Sequence, residues 1–447
     1  MKFIGRYFGK SRANKKQSGS KRLYENNLGS GRSIANRFGY GLSHSEFAAK
    51  SAGKGFVMLR FLTAGESHGK CLVGVLEGLP SGLVINIDFI NLQLKRRQLG
   101  YGRGGRMKIE QDQIEILSGV RQGETLGGPI SFIIQNKDWS QWQVPMSVKP
   151  AADGSDLRAV TRPRPGHADL AGALKYQTHD LRNILERASA RETAVRVAAG
   201  AVCRLVLAHF GIHIGSHVIA IGRERIAQEF ESLSSEEILA IDPESLIRCV
   251  DPEAEKRMIA HIDEASASGD TLGGIIEVVA SPVVVGLGTH IQWDRRLDGR
   301  IAQAMMSIPS AKAVEIGAGV KGSQCMGSAF HDPISYDLQT KRFTRDSNNA
   351  GGVEGGISNG SDIRVQIYFK PIPTLRQPLE SVDVKSKRSV EAVVERSDTC
   401  VVPAAGVIAE AMLGFVLTSA FLDKFGGDSI REVEANQDHY LKLLDEY

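Results

Sequence analysis

The sequence predicts an α+β fold built on antiparallel sheets. Strand patterns that alternate apolar and polar residues outnumber continuous apolar runs. Helical and strand patterns also mix without a regular βαβ rhythm. With 447 residues, 42% of them hydrophobic, the chain can bury a large core.

Taken in order, "LRFLTAG" and "CLVGVLEGL" are short strands flanking the polar turn "GESHG". Asp88 is placed to cap a helix through "FINLQLKRRQ", with its end marked by Gly100. "RMKIEQDQIEIL" alternates as a strand, "PISFIIQN" is another, and a Trp-containing loop runs to about Arg164. One long helical region is expected from about Ala168 to His209, its later part apolar on several sides and therefore buried. "GIHIGSHVIAIG", "GGIIEVVASPVVVGLG" and "DIRVQIYFK" are strands, acidic helical segments cover about 232–267, and two helices close the chain. "GETLGG" (from 123) and "GDTLGG" (from 269) each lead into a strand, which suggests a repeated strand-entry unit with equivalent turns.

Charge is unevenly spread. Residues 1–57 hold 12 Lys/Arg against Glu25 and Glu46, a net of +10, whereas the remainder carries a net of −6. The basic balance thus comes from the leader and implies no nucleic-acid partner. That leader is rich in Gly, Ser, Lys and Arg, lacks an apolar period and is expected to be disordered. Its composition is that of an organelle transit peptide, which would send the protein to a plastid or other organelle. The reading we favour is a mis-assigned start, with Gly53-Lys54-Gly55 encoded by purine-rich codons just before Met58. Residues 58–447 then form a single domain. Cys71, Cys203, Cys249, Cys325 and Cys400 are odd in number and far apart, which argues against a disulfide framework and fits a reducing cytoplasm. Val407–Leu422 is interrupted by Glu410 and falls short of the roughly 18 residues of a spanning helix, so a buried helix is expected and no membrane partner.

Chemistry concentrates in glycine- and arginine-rich stretches. "RRQLGYGRGGR" spells G-x-G-x-x-G, but a dinucleotide turn follows a strand and opens a helix; here a helix enters and a strand leaves. A loop remains that can bring backbone amides and the guanidiniums of Arg97, Arg103 and Arg106 onto one anion. Ser67 and His68 sit in a tight turn, His167 lies between rigid prolines and a helix start, and Arg187, Ser189 and Arg191 lie near a helical segment. "NNAGGVEGGISNG" is a second Gly-rich loop, "KPIPT" sets Lys370 beside a stiff turn, and "ERSD" joins Arg396 to Asp398. Two histidines, an aspartate and many arginines suit acid/base chemistry on a polyanion. His209, His213 and His217 recur every four residues, but glycines interrupt a helix and no neighbouring carboxylate or cysteine completes a set, so no metal is expected.

Assembled in order, "GESHGK", "GVLEGLP", "RRQLGYGRGGRM", "RPGHAD", "ERASARETA", "GGVEGGISNG", "KPIPT" and "ERSDTCVVPAAGV" resemble chorismate synthases over nearly the whole chain from Met58. The resemblance implies a sandwich of antiparallel sheets surrounded by helices, usually in a homotetramer. It implies a lyase in aromatic amino acid biosynthesis: loss of phosphate and a ring proton from 5-enolpyruvylshikimate 3-phosphate by anti-1,4-elimination, giving chorismate. Reduced FMN is required, lending an electron transiently, with NADPH as a possible reductant. By the same likeness His68 protonates the departing phosphate, His167 tunes the flavin, Asp398 acts with flavin N5 on the ring proton, and Ser67 and Ser189 support them. Arg97, Arg103, Arg106 and Arg191 hold substrate anions or NADPH. The flavin meets Ser189, Ala190, Arg191, Pro309, Ser310, Gly355, Lys370, Pro371, Ile372, Pro373, Thr374 and Arg396. The rival is an anion- or nucleic-acid-binding module using the Arg/Gly loops, which predicts salt-sensitive RNA binding and no flavin affinity.

The leader reading is open to direct test. N-terminal sequencing of the natural protein is expected to find a mature chain starting near Met58, and a chain starting near Met1 would defeat it.

Overall fold

The computed structural model describes residues 59–104, 110–227, 233–339, 341–395 and 397–447. The leader 1–57 lies outside them, as do Arg106 and Arg396. The first sheet is antiparallel, with β1 (Arg60–Ala64), β2 (Cys71–Glu77), β3 (Glu115–Ser118) and β4 (Ile130–Gln135) in the order β1-β2-β4-β3. The second, also antiparallel, contains β5 (His213–Ile221), β6 (Glu224–Arg225), β7 (Gly274–Ser281), β8 (Ala311–Ile316) and β9 (Ile363–Phe369) in the order β8-β9-β7-β5-β6. The principal helices are α1 (Ile87–Gln98), α2 (Asp169–Tyr176), α3 (Thr193–His209), α4 (Pro252–Ala267), α5 (Leu297–Met306), α6 (Val402–Phe425) and α7 (Ile430–Asp445).

The molecule is α+β with antiparallel sheets, as the patterning predicts, and its layering puts two helices inside. Along β2 every second residue is buried, with Leu72 and Leu76 fully so. Gly74 on that face faces Phe132 of β4 and Val195 of α3, where a Cβ would sit 2.3 and 2.7 Å from their side chains. Helix α3 in turn meets α6 at Gly200, whose added Cβ would lie 2.4 Å from the Ala411 backbone oxygen. The far side of α6 meets the second sheet, with Gly406 against Ser216 of β5 and Val402 against Gly274 of β7. So α3 and α6 lie between the sheets, and α6 is apolar all round because it has core on every side. It is long and apolar enough to cross a membrane, yet 94% of its most apolar window is buried in this fold.

One carboxylate breaks that apolar interior. Glu410 of α6 accepts from Arg96 of α1 (2.6 and 2.8 Å), Arg204 of α3 (2.7 Å), Arg248 (2.9 Å) and Ser216 (2.7 Å). Burial alone would push its carboxyl up, but the three guanidiniums overcome this and hold it well below the ordinary carboxylate range.

Several expectations change in detail. Asn86, not Asp88, caps α1, accepting from the Phe89 amide, and Asp88 sits in the first turn. Of the strand expected from Arg106, the part up to residue 109 lies outside the described residues; from 110 onward β3 begins only at Glu115, because the Glu110 and Asp112 side chains turn inward. The long helix breaks into α2, a single turn at Arg182–Leu185, a 3-10 turn at Ala190–Glu192 and α3. Gln177 takes a left-handed φ of 54° at the first break. In the two similar turns, Thr125 and Thr271 each donate to a distant carbonyl, of Pro80 and Ile372. Their glycines differ: Gly128 has open space, whereas a Cβ on its counterpart Gly274 would lie 2.1 Å from the Ala220 oxygen. The turns sit in dissimilar environments, and the repeat is accidental. His217 does find a carboxylate in space, Glu277, itself paired with Arg364, while His209 pairs with Glu434; among the described residues no cluster could hold a metal.

Two outcomes follow. Gly200→Val forces α3 off α6 and should cost about 3 kcal/mol in denaturant unfolding, while Gly128→Ala should stay within about 0.5 kcal/mol. Because the folded pKa of Glu410 lies below its unfolded value, its stabilisation is complete at neutral pH and is lost as pH falls from about 4 downward. Glu410→Gln should therefore lower stability by about 3 kcal/mol or more at pH 7 and flatten the acid limb of the stability profile.

Candidate active site

A cleft of about 650 Å³ opens where the β1–β2 turn, the broken helical region, the start of α6 and the loop after β9 converge. The turn "GESHG" begins at Gly65, with φ of 101° and only 2.5 Å from an added Cβ to the Cys71 oxygen, so glycine is required there. Ser67 is buried and its amide donates to the Glu186 carbonyl. The next amide, of His68, donates to the Glu186 side chain at 2.8 Å, and His68 Nδ1 lies 2.9 Å from the same carboxylate. The His68 ring stacks on Trp142 with centroids 4.0 Å apart. Ser189 caps the 3-10 turn, accepting from the Arg191 amide, and its hydroxyl lies 3.2 Å from that of Ser67.

His167 is held in a similar way. Its Nδ1 lies 2.6 Å from Asp169, the first residue of α2, which also accepts from Arg164 Nε at 2.8 Å. Arg164 in turn donates to Thr374. Arg97 and Arg191 share a third acid, Asp112, at 2.7 and 2.6 Å, and Arg191 also donates to Asn136. Burial would raise Asp112, Asp169 and Glu186, but the hydrogen bonds and basic side chains beside each one prevail and hold all three below the usual range.

Asp398 faces the cleft from the segment before α6. It pairs with Arg103 at 3.2 Å and accepts from the Gly104 amide at 2.6 Å. A Cβ on Gly104 would lie 2.8 Å from the Ser397 oxygen, so the glycine permits this approach. Gly104 of the Arg/Gly loop thus serves a carboxylate of the chain itself. Lys370 donates to the Gly166 carbonyl, and partial burial pulls its ammonium below the ordinary lysine value.

Among the sequence-derived residues, the cleft is lined by Ser67, His68, Arg97, Arg103, His167, Ser189, Ala190, Arg191, Pro309, Ser310, Lys370, Ile372, Pro373, Thr374 and Asp398. Pro371 and Gly355 do not line it; Gly355 sits at a hairpin tip with nothing within 4 Å of an added Cβ. Arg106 and Arg396 fall outside the described residues. Sequence reasoning missed Trp142, Arg158, Arg164, Arg182 and Glu395, which line the cleft, and the backing acids Asp112, Asp169 and Glu186. Asp169 and Glu186 were visible within "RPGHAD" and "ERASARETA"; nothing near Trp142 signalled its place.

The arrangement can grip a densely charged anion, deliver a proton from a histidine and receive one on a carboxylate. An apolar wall of Leu185, Ile308, Val401, Ala404, Ala405 and Ile408 leaves room for a flat ring system beside the charges.

Comparison with known proteins agrees with this chemistry. The family model for chorismate synthase matches residues 59–422. A chorismate synthase of Solibacter usitatus is 54% identical over 392 residues, covering 87% of this chain and all of that protein. One from Geobacter sulfurreducens is 54% identical over 393 residues, with 87% and 99% covered. A chorismate synthase crystal structure superposes with a TM-score of 0.71 at 43% identity, covering 87% of this chain and 99% of the other. On these matches the chain belongs to the chorismate synthase family, the reduced-FMN-dependent carbon–oxygen lyases that convert 5-enolpyruvylshikimate 3-phosphate to chorismate in the shikimate pathway.

Proposed function

We propose that His68 is the acid that protonates the departing phosphate, that Asp398 accepts the ring proton, and that His167 acts on the flavin side of the cleft. The observation that carries this reading is that each histidine has its Nδ1 held by a carboxylate, which leaves Nε2 for a ligand. Substrate anions are bound by Arg97, Arg103 and Arg191, joined by Arg106 from outside the described residues. Ser67 and Ser189 support His68 through their paired hydroxyls. The residues fit FMN: Ser189 to Arg191, Pro309, Ser310, Lys370, Ile372, Pro373 and Thr374 share one cleft with an apolar wall. When bound, reduced FMN lends electron density transiently to the eliminating system. Arg396 is proposed to bind FMN as well.

NADPH as reductant would enter through the same arginines, and NADPH oxidation by purified protein with FMN tests this. A homotetramer is supported by exposed apolar side chains on the 334–345 hairpin, Ile334, Tyr336, Leu338 and Phe343, and sedimentation velocity reads it. Residues 58–447 are proposed as the working enzyme, because the family model begins its match at residue 59 and a relative matched over its whole length covers 87% of this chain. Cytoplasmic location follows from the same reading and from the bacterial sources of those relatives.

Residues 58–447 with reduced FMN should convert the enolpyruvyl substrate anaerobically. His68→Ala and His167→Ala should each slow turnover by about 100-fold, with a smaller change in FMN Kd. Unchanged turnover in either variant removes that residue's assigned role.

A further inference from the structure

His68 and Trp142 form a contact that the assigned chemistry does not yet use. The imidazole is clamped on two sides: the Glu186 carboxylate lies 2.9 and 3.0 Å from Nδ1, and the indole of Trp142 stacks on the ring at 22°. Trp142 is buried and belongs to the loop after β4, far in sequence from His68. Two further cations approach the same indole, Arg158 at 4.3 Å and Arg182 at 4.9 Å from its centroid. Arg182 also donates to Glu186 at 2.8 Å. A protonated His68 would therefore join two guanidiniums in one small volume.

We infer that Glu186 and Trp142 are positioning residues that fix His68 as a donor from Nε2, the carboxylate by holding Nδ1–H and the indole by stabilising the positive ring. The inference rests on the reading of His68 as the acid. An ionised carboxylate can only accept, so Nδ1 keeps its proton in both charge states of the ring. The transferable proton is then the one on Nε2. As the carbon–oxygen bond breaks, its electron pair stays on the phosphate oxygen, which takes the Nε2 proton. The ring is left neutral and still hydrogen-bonded through Nδ1, so no tautomer change or ring flip accompanies the step. Before the step, the negative π face of Trp142 and the charge of Glu186 offset the repulsion from Arg158 and Arg182.

Histidine-selective 15N labelling of the full chain tests the first half without turnover. The His68 resonance is identified by its loss in His68→Ala. Its neutral form is expected to carry the proton on Nδ1, and a neutral ring protonated on Nε2 overturns the inference. The second half is read by kinetics. Trp142→Leu should lower kcat about ten-fold and Trp142→Phe less than about three-fold, both with FMN Kd within about two-fold of the parent. A leucine variant as fast as the parent, or a phenylalanine variant as slow as the leucine one, overturns the role of the indole. Normal turnover by His68→Ala would instead defeat the acid reading, leaving the labelling result standing, so the two failures are distinguishable.

Discussion

The cleft depends on carboxylates shared between pairs of basic side chains. Asp112 serves Arg97 and Arg191, Asp169 serves Arg164 and His167, and Glu186 serves Arg182 and His68. A cavity with this many guanidiniums would otherwise repel itself apart as the chain closed around it. Each shared acid cancels part of the charge and fixes two side chains at once. Glu110 and Glu395 add further acids beside Arg191 and Arg182, so these guanidiniums are held from more than one side. Guanidiniums fixed in this way along the cleft suit a ligand bearing a phosphate and two carboxylates.

The backbone makes these sharings possible through its interruptions. Had residues 168–209 formed one helix, Glu186 and Ser189 would be locked to helical spacing. The breaks let Glu186 reach back to the "GESHG" turn and let Ser189 cap the turn that presents Arg191. Similarly, β3 starts late because Asp112 leaves the strand path to meet its two arginines. Regular structure is given up where the chemistry is placed, and it resumes in α3 and α6, whose close contact at Gly200 keeps the two sheets in register with the site.

The strands were legible because alternation reports a half-buried face directly, as β2 shows with Leu72 and Leu76 inward. The cationic wall was legible in part: His68, His167, Asp398 and the arginines lie in unusual Gly- and Pro-flanked stretches. The helical breaks were not, because apolar periodicity continues across them and only a long-range bond to His68 explains the turn at Glu186. Asp112 was hidden for a related reason, since a polar residue in an alternating stretch looks like a solvent-facing strand position. Trp142 carries no local signal at all; its partners, His68 and Arg182, lie far from it along the chain.

The neighbouring arginines of α1 point to different places. Arg96 reaches inward to Glu410, while Arg97 reaches the cleft and Asp112. The inner residue works as an anchor and the outer one as a tool held at a set angle. Glu410 belongs to α6 and grips α3 as well, so the aim of Arg97 is referenced to both central helices. In this molecule, the aim of a cleft-lining arginine is thus a property of the deep core: a sequence change far from the cleft can alter the reach of a residue within it.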